Sequence, residues 1–309
     1  MVLTANGLLS NTVENGKSSK MSKILVYGKN GQVGWELQRS LALVGDVVFL
    51  GREDRGGDLL DIDSMVARIR EEKPEIIFNA AAYTAVDAAE NDLETARGIN
   101  CDAVAAMADV CKELNALLIH YSTDYVFNGT GEHPWKEDDH IDPINVYGST
   151  KALGEKAIIE SGCKAYIFRT SWIFGIHGNN FLKTILHIAT NRNKLKVVSD
   201  QIGVPTAADF VADVSTYLAV NRVPESGEIV NLVPHGEVSW FDYANLIITQ
   251  SKIQNVKIEP VSTLDYTTVA KRPLNSRLDN SKIKSLLPPG GIKDWRFYVL
   301  RTLEGFIRK

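Results

Sequence analysis

From residue 23 onward the chain alternates short apolar runs with amphipathic ones, and this rhythm constrains the fold more than any other feature. "KILVYG" reads as a strand, 32 to 43 as a helix, "DVVFLG" as a strand, 62 to 72 as a helix and "EIIFNAAA" as a strand. The strands show as brief apolar runs rich in Val, Ile and Phe, and the helices as apolar residues returning every third or fourth position. A long helical stretch over 92 to 115 follows, then the strand "ALLIHYSTD", a helix over about 146 to 160 and the strand "KAYIFRTSW". Strands that are apolar throughout are buried on both faces, and strands separated by helices pair in parallel. The expected class is α/β, with a doubly wound parallel sheet over 21 to 170.

Beyond residue 175 the rhythm loosens. A helix over about 180 to 191, the strand "LKVVSD", a helix over 207 to 220, "EIVNLV", a helix over 239 to 251, "VKIEPVS" and a closing helix are expected. Residues 171 to 309 therefore read mainly as a smaller C-terminal substrate-binding lobe, interleaved with late sheet elements from about 195 to 232. The first twenty residues, "MVLTANGLLSNTVENGKSSK", read as a polar flexible extension or tag without a signal-peptide layout.

Composition narrows the setting. Of 309 residues, 44% are hydrophobic and 23% charged, with a formal net charge of −4, an ordinary balance for a soluble domain. No basic stripe points to nucleic acid or an acidic membrane surface. No apolar run approaches the roughly 18 residues of a membrane span. The cysteines, Cys101, Cys111 and Cys163, lack metal-ligand spacing and suit small buried hydrophobes in a reducing compartment. A cytoplasmic setting is expected.

At the first strand-to-helix junction stands "YGKNGQVGWELQRSL", with Gly28, Gly31 and Gly34 around Gln32 and Val33. Glycine lets backbone turn tightly and approach a pyrophosphate, and a helix start presents free N–H groups and the positive end of its dipole. At this position the loop predicts a Rossmann-type NAD(P) site. After the second strand, "FLGREDRGG" places Gly51 where an acid often holds the adenine ribose, and Arg52 next to it. Arg52 favours NADPH by accommodating a 2′-phosphate, although a solvated loop arginine has the same appearance; NADH is the alternative cofactor. Asp58 and Leu59 are expected near the adenine. Ala80, Ala81 and Ala82 give small side chains either for cofactor passage or for close helix–strand packing.

Two further groups belong to the chemistry. Tyr147 and Lys151, in "NVYGSTKALGEK", are one helical turn apart and can meet a common ligand. A nearby ammonium favours phenolate, so the Tyr147 pKa is expected below its reference of about 10. The strand "LLIHYSTDYVF" ends at Ser122, Thr123 and Asp124 on the carboxyl edge of the sheet, where Thr123 can hydrogen-bond a carbonyl oxygen. Read alone, that run is a turn cap.

Together, GxxGxxG at 28 to 34, Ser/Thr after the fourth strand and YxxxK at 147 to 151 resemble the extended short-chain dehydrogenase/reductase superfamily. Over about residues 21 to 309 the chain is similar to the dTDP-4-dehydrorhamnose reductase family, through "NAAAYTAVDAAE", "HYSTDYVFNGTGEHPWKEDD", "PINVYGSTKALGEK", "FRTSWIFG", "GNNF", "DQIGVPT" and "RPLNSRLD". The resemblance implies hydride transfer from the nicotinamide to the 4-keto carbon of a dTDP-sugar, with Tyr147 as proton donor. Lys151 would hold the nicotinamide ribose and Thr123 would polarise the carbonyl. It also implies Tyr121 in the cofactor site and Asp124, Trp172, Asn180, Arg272 and Arg277 toward the substrate. Mg²⁺ at a homodimer interface is implied through Glu36, Asp209 and Glu304, with Asp209 shorter than the family's Glu. Related 4,6-dehydratases carry Glu after the Asp where this chain has Tyr125, which disfavours dehydration. Two alternatives stay open: a non-catalytic NADP-binding subunit similar to the regulatory subunit of methionine adenosyltransferase, and a reductase or epimerase of another nucleotide sugar.

Overall fold

The computed structural model describes residues 22–307, so the extension expected at 1–20 lies outside the described residues. Five strands arise in the predicted order: β1 (Lys23–Tyr27), β2 (Asp46–Leu50), β3 (Ile76–Asn79), β4 (Leu117–Thr123) and β5 (Ala165–Thr170). A sixth, Gly227–Asn231, joins beyond β5. The spatial order is β2, β1, β3, β4, β5 and the sixth strand, all parallel. The order reverses between β1 and β3, and the carboxyl edge at such a reversal is where ligands bind in open α/β sheets.

The two-residue period of each strand divides the core. Ile24 and Val26 of β1 join Phe78, Ile119 and Phe168 in one apolar cluster, while Leu25 and Tyr27 join Ile77, Leu118 and Ile167 in another across the sheet. Burying side chains of this size contributes about 1.5–3 kcal/mol each, which is why alternate residues on both faces are apolar.

The stretch predicted as one helix over 92 to 115 is instead Leu93–Arg97, a π-helical turn Gly98–Asp102 and Ala103–Leu114. The π turn brings Asn100 to the helix Val146–Ser161, where Asn100 Nδ2 donates to Thr150 Oγ1 at 3.1 Å. That helix lies unusually close to its neighbours. A Cβ at Gly148 would stand 2.1 Å from the Tyr125 carbonyl oxygen, and one at Gly154 2.2 Å from that of Asn100.

After Thr170 the chain departs from the expectation of late sheet elements over 195 to 232. Only Gly227–Asn231 enters the central sheet; Lys194–Val198 pairs in parallel with Lys257–Val261 in a separate two-stranded sheet. Local pattern sets strand character, but the partner lies more than fifty residues on, beyond what local pattern shows. The helices Phe181–Asn191, Ala208–Asn221 and Trp240–Ser251 form where predicted.

Candidate active site

A cleft of about 990 Å³ opens along the carboxyl edge of the sheet. Its nucleotide end is mostly backbone. Gly28 has φ +83°, and a Cβ there would stand 2.6 Å from the Ala80 and Ala81 backbone. At Gly34 a Cβ would stand 2.0 Å from the Gly28 carbonyl oxygen, so Gly34 packs behind the turn rather than lining the cleft. Gly31 precedes the helix Gln32–Ser40 without a side-chain cap, which leaves its opening N–H groups for an anion. This cradle fits the pyrophosphate of a dinucleotide. Gln32, Val33, Leu59 and Ala80 to Ala82 line the same end. Arg52 and Asp58 line it too and bond to each other, Nε to Oδ2, at 3.1 Å.

The opposite end is made of side chains withdrawn from water. Helix Val146–Ser161 starts at Asn145, whose Oδ1 accepts from Gly148 N at 2.8 Å, and that cap places Tyr147 at the start of the first turn. Tyr147 lines the cleft with Thr123 and packs edge-on against Tyr125 with ring centroids 5.8 Å apart. Burial pushes the Tyr147 hydroxyl up to about 12, the Thr123 hydroxyl pulls it down and Asp124 pushes it up. This reverses the expected lowering: desolvation of the phenolate dominates, and Lys151 is occupied elsewhere. Its Nζ donates to the Tyr121 carbonyl at 2.6 Å and lies 3.1 Å from His120 Nε2. Burial brings Lys151 down to about 8, against the attraction of Glu155 one turn further along. Asp124 is buried beside Thr123, whose Oγ1 donates to Asp124 Oδ1 at 3.1 Å, and burial raises its carboxyl to about 7 against the lowering influence of the Ser276 and Thr123 hydroxyls. Its Oδ2 has no protein partner.

Glu155 anchors this end from below. Arg169 Nη2 donates to Glu155 Oε2 at 2.7 Å and Ser122 Oγ to Oε1 at 2.5 Å, with both charged side chains almost wholly buried. Trp172 adopts a left-handed backbone, φ +47°, uncommon for a bulky residue. Its ring stacks on Trp240 at 3.6 Å, and both tryptophans line the cleft.

Tyr121 lines the cleft, its side chain bonding Ser215 at 2.7 Å and its backbone carbonyl serving Lys151. Not every expected residue reaches the site. Asn180 caps the helix Phe181–Asn191 and reaches the cleft only through Gln32, to which it donates at 2.9 Å. Arg272 pairs with Asp87 and Arg277 with Glu237, each at 2.8 Å, and neither lines the cleft. Glu36 and Asp209 are held by Arg39 and Arg301. Among the described residues, Glu304 included, no group of three or more His, Cys, Asp or Glu within one chain could hold a metal ion, so the Mg²⁺ expectation gains no support. Trp240, Asn79 and His120 are not expected site residues from the sequence; the signal nearest to His120 is the polar "HYSTDY" at the end of an otherwise apolar strand, and Asn79 opens "NAAAYTAVDAAE".

Sheet topology, the glycine-walled nucleotide cradle and the buried Tyr–Lys–Thr face are the properties of an NAD(P)-dependent oxidoreductase of the extended short-chain dehydrogenase/reductase class. Comparison with known proteins narrows the class: the profile described as RmlD substrate binding domain matches residues 21–306, and the chain belongs to this family, that of the dTDP-4-dehydrorhamnose reductases. The dTDP-4-dehydrorhamnose reductase of Escherichia coli (strain K12) is 43% identical over 294 residues, 91% of this chain and 97% of the relative. That of Salmonella typhimurium is 44% identical, over 91% of this chain and 96% of its own. The dTDP-4-dehydrorhamnose reductase of Bacillus anthracis, solved in complex with NADP, superposes with a TM-score of 0.86 at 30% identity, over 94% of this chain and all of the other.

Proposed function

We propose that the protein reduces the 4-keto group of dTDP-6-deoxy-L-lyxo-4-hexulose to give dTDP-L-rhamnose, with NADPH as the preferred reductant and Tyr147 as proton donor. The observation that carries this reading is the convergence of Thr123, Tyr147 and Lys151 on the cleft, with Tyr147 and Lys151 one turn apart on helix Val146–Ser161. The residues at Gly28, Gly31, Arg52 and Lys151 would hold the dinucleotide, which when bound supplies the hydride for the carbonyl carbon. Thr123 and Tyr147 direct their hydroxyls at the carbonyl oxygen, and the Tyr147 O–H bond breaks as negative charge develops there. Tyr147, pushed up to about 12 in the free protein, holds its proton until that charge appears. Lys151 then attracts the phenolate.

Asp124 and Trp172, on the lobe side of the cleft, are assigned to the sugar. A protonated Asp124 both donates to and accepts from sugar hydroxyls. The preference for NADPH rests on Arg52 at the mouth of the nucleotide end. Homodimerisation is assigned to the face of helix Trp295–Ile307 that carries Phe297 and Leu300, large apolar residues left exposed. Among the described residues, no helix is long and apolar enough to cross a membrane.

The test is the loss of NADPH absorbance when the protein meets the dTDP-4-keto-6-deoxy sugar, with NADH run in parallel. Oxidation with dTDP-L-rhamnose as product is the expected result. Tight NADPH binding without oxidation would overturn the reading in favour of a non-catalytic subunit or another sugar.

A further inference from the structure

Behind Lys151 lies a polar chain that the reaction as described does not use. The Ala81 backbone N–H donates to Asn79 Oδ1 at 3.3 Å, Asn79 Nδ2 faces His120 Nδ1 at 3.2 Å, and His120 Nε2 faces Lys151 Nζ at 3.1 Å. Asn79, His120 and Lys151 are each 1% exposed or less, so water cannot relieve a mismatch within the chain. Burial, and then the charge of Lys151, hold His120 well below its ordinary pKa, so the imidazole is neutral and a single ring nitrogen bears hydrogen.

Which nitrogen it is follows from the backbone. The Ala81 N–H can only donate, so Asn79 presents its oxygen there and its NH₂ toward His120. His120 Nδ1 must then accept, which leaves the hydrogen on Nε2, directed at Lys151. A neutral amine accepts that hydrogen and still donates to the Tyr121 carbonyl. An ammonium has no lone pair, and its hydrogen would collide with the imidazole N–H.

We propose that Asn79 and His120 are positioning residues, a donor chain anchored on backbone that favours the neutral amine of Lys151 and so sets the pH above which its ammonium is lost. On deprotonation an N–H bond of Lys151 breaks, the proton passes to water in the open cleft, and the lone pair left on nitrogen is received by His120 Nε2–H. The other charges around Lys151 do not supply this preference. Glu155, tied to Arg169 and Ser122, favours the ammonium, and Asp124 acts on Tyr147 instead.

The inference rests on the assignment of Tyr147 and Lys151 above. Turnover that needs the ammonium falls as pH rises through the Lys151 value of about 8. In His120→Leu, and in Asn79→Leu, where the imidazole is free to turn its acceptor to Lys151, the alkaline limb of kcat is expected to move up by about one unit, a tenfold larger ammonium fraction on the high-pH side. A limb that stays in place or moves down overturns the proposal, since a purely structural role lowers kcat without displacing it. Should either variant fail to fold, ¹⁵N-histidine NMR of the unaltered protein at pH 9 decides: hydrogen on His120 Nε2 is expected, and hydrogen on Nδ1 overturns the proposal. Lys151→Met separates the two readings. Parent turnover in that variant removes the site assignment itself, whereas loss of turnover with an unmoved limb in His120→Leu removes only the donor chain.

Discussion

At the nucleotide end of the cleft the wall is backbone, with Gly28 and Gly31 at its turn; at the other end Lys151 and Asp124 are ionisable side chains taken out of water beside the half-buried Tyr147. The first end recognises by shape and by fixed N–H dipoles, so it works over a wide pH range and tolerates no added atoms at Gly28 or Gly34. The second end depends on which groups hold protons, and is correspondingly sensitive to pH and to single polar changes. Binding and chemistry are thereby set by different physical quantities and are separable by mutation.

Tyr147→Phe is the most severe test of that separation. Turnover should fall by about 10²–10⁴-fold while NADPH affinity, measured by fluorescence titration, stays within about twofold of the parent. Equal loss of both would mean that the two ends are one unit. Glu155→Ala removes one partner of the buried Arg169 pair and should cost about 3–5 kcal/mol in urea unfolding, because an uncompensated guanidinium remains in the core. Asp124→Asn tests the protonation argument. With the folded carboxyl at about 7 against an ordinary value of 3.8, the unfolded chain releases this proton first. The parent therefore loses stability as pH rises from 4 to 7 and levels off above. Melting temperatures of variant and parent should diverge over that window in favour of Asn, and a gap independent of pH would contradict the raised value.

Smaller effects are expected at the backbone end. Gly34→Ala drives a methyl into the Gly28 carbonyl and should destabilise by about 1–3 kcal/mol, with weaker NADPH binding and an unchanged pH profile for kcat. Arg52→Ala should raise the KM for NADPH by about tenfold, the worth of one charge-assisted bond, and leave that for NADH unaltered. Equal changes for both cofactors would reduce Arg52 to the partner of Asp58.

The sequence reading fared differently at the two ends for the same reason. The nucleotide cradle comes from contiguous turns at 28 to 34, 51 to 59 and 80 to 82, each following a strand whose apolar pattern announces it, so its residues were legible. The side-chain end depends on distance across the fold. His120 and Lys151 are far apart in the chain, and nothing local shows that they meet, nor that burial of Tyr147 outweighs the cation one turn away. Asn180, Arg272 and Arg277 carry suitable chemistry, but nearer partners take it, and the sequence does not display those partners. The strand Lys194–Val198 had the right local character and a partner in a different sheet.

The order of the strands in space also bears on how the molecule comes into being. β5, with Arg169 locked to Glu155, is available once the chain has grown past Thr170, yet the strand that covers its outer edge begins only at Gly227. On a ribosome the nucleotide cradle and the Tyr–Lys helix can therefore assemble first, with β5 left as an unpaired edge, a template for wrong partners. Trp240, which completes the wall beside Trp172, follows later still. In chain order, the residues of the nucleotide end are thus complete before the wall of the opposite end.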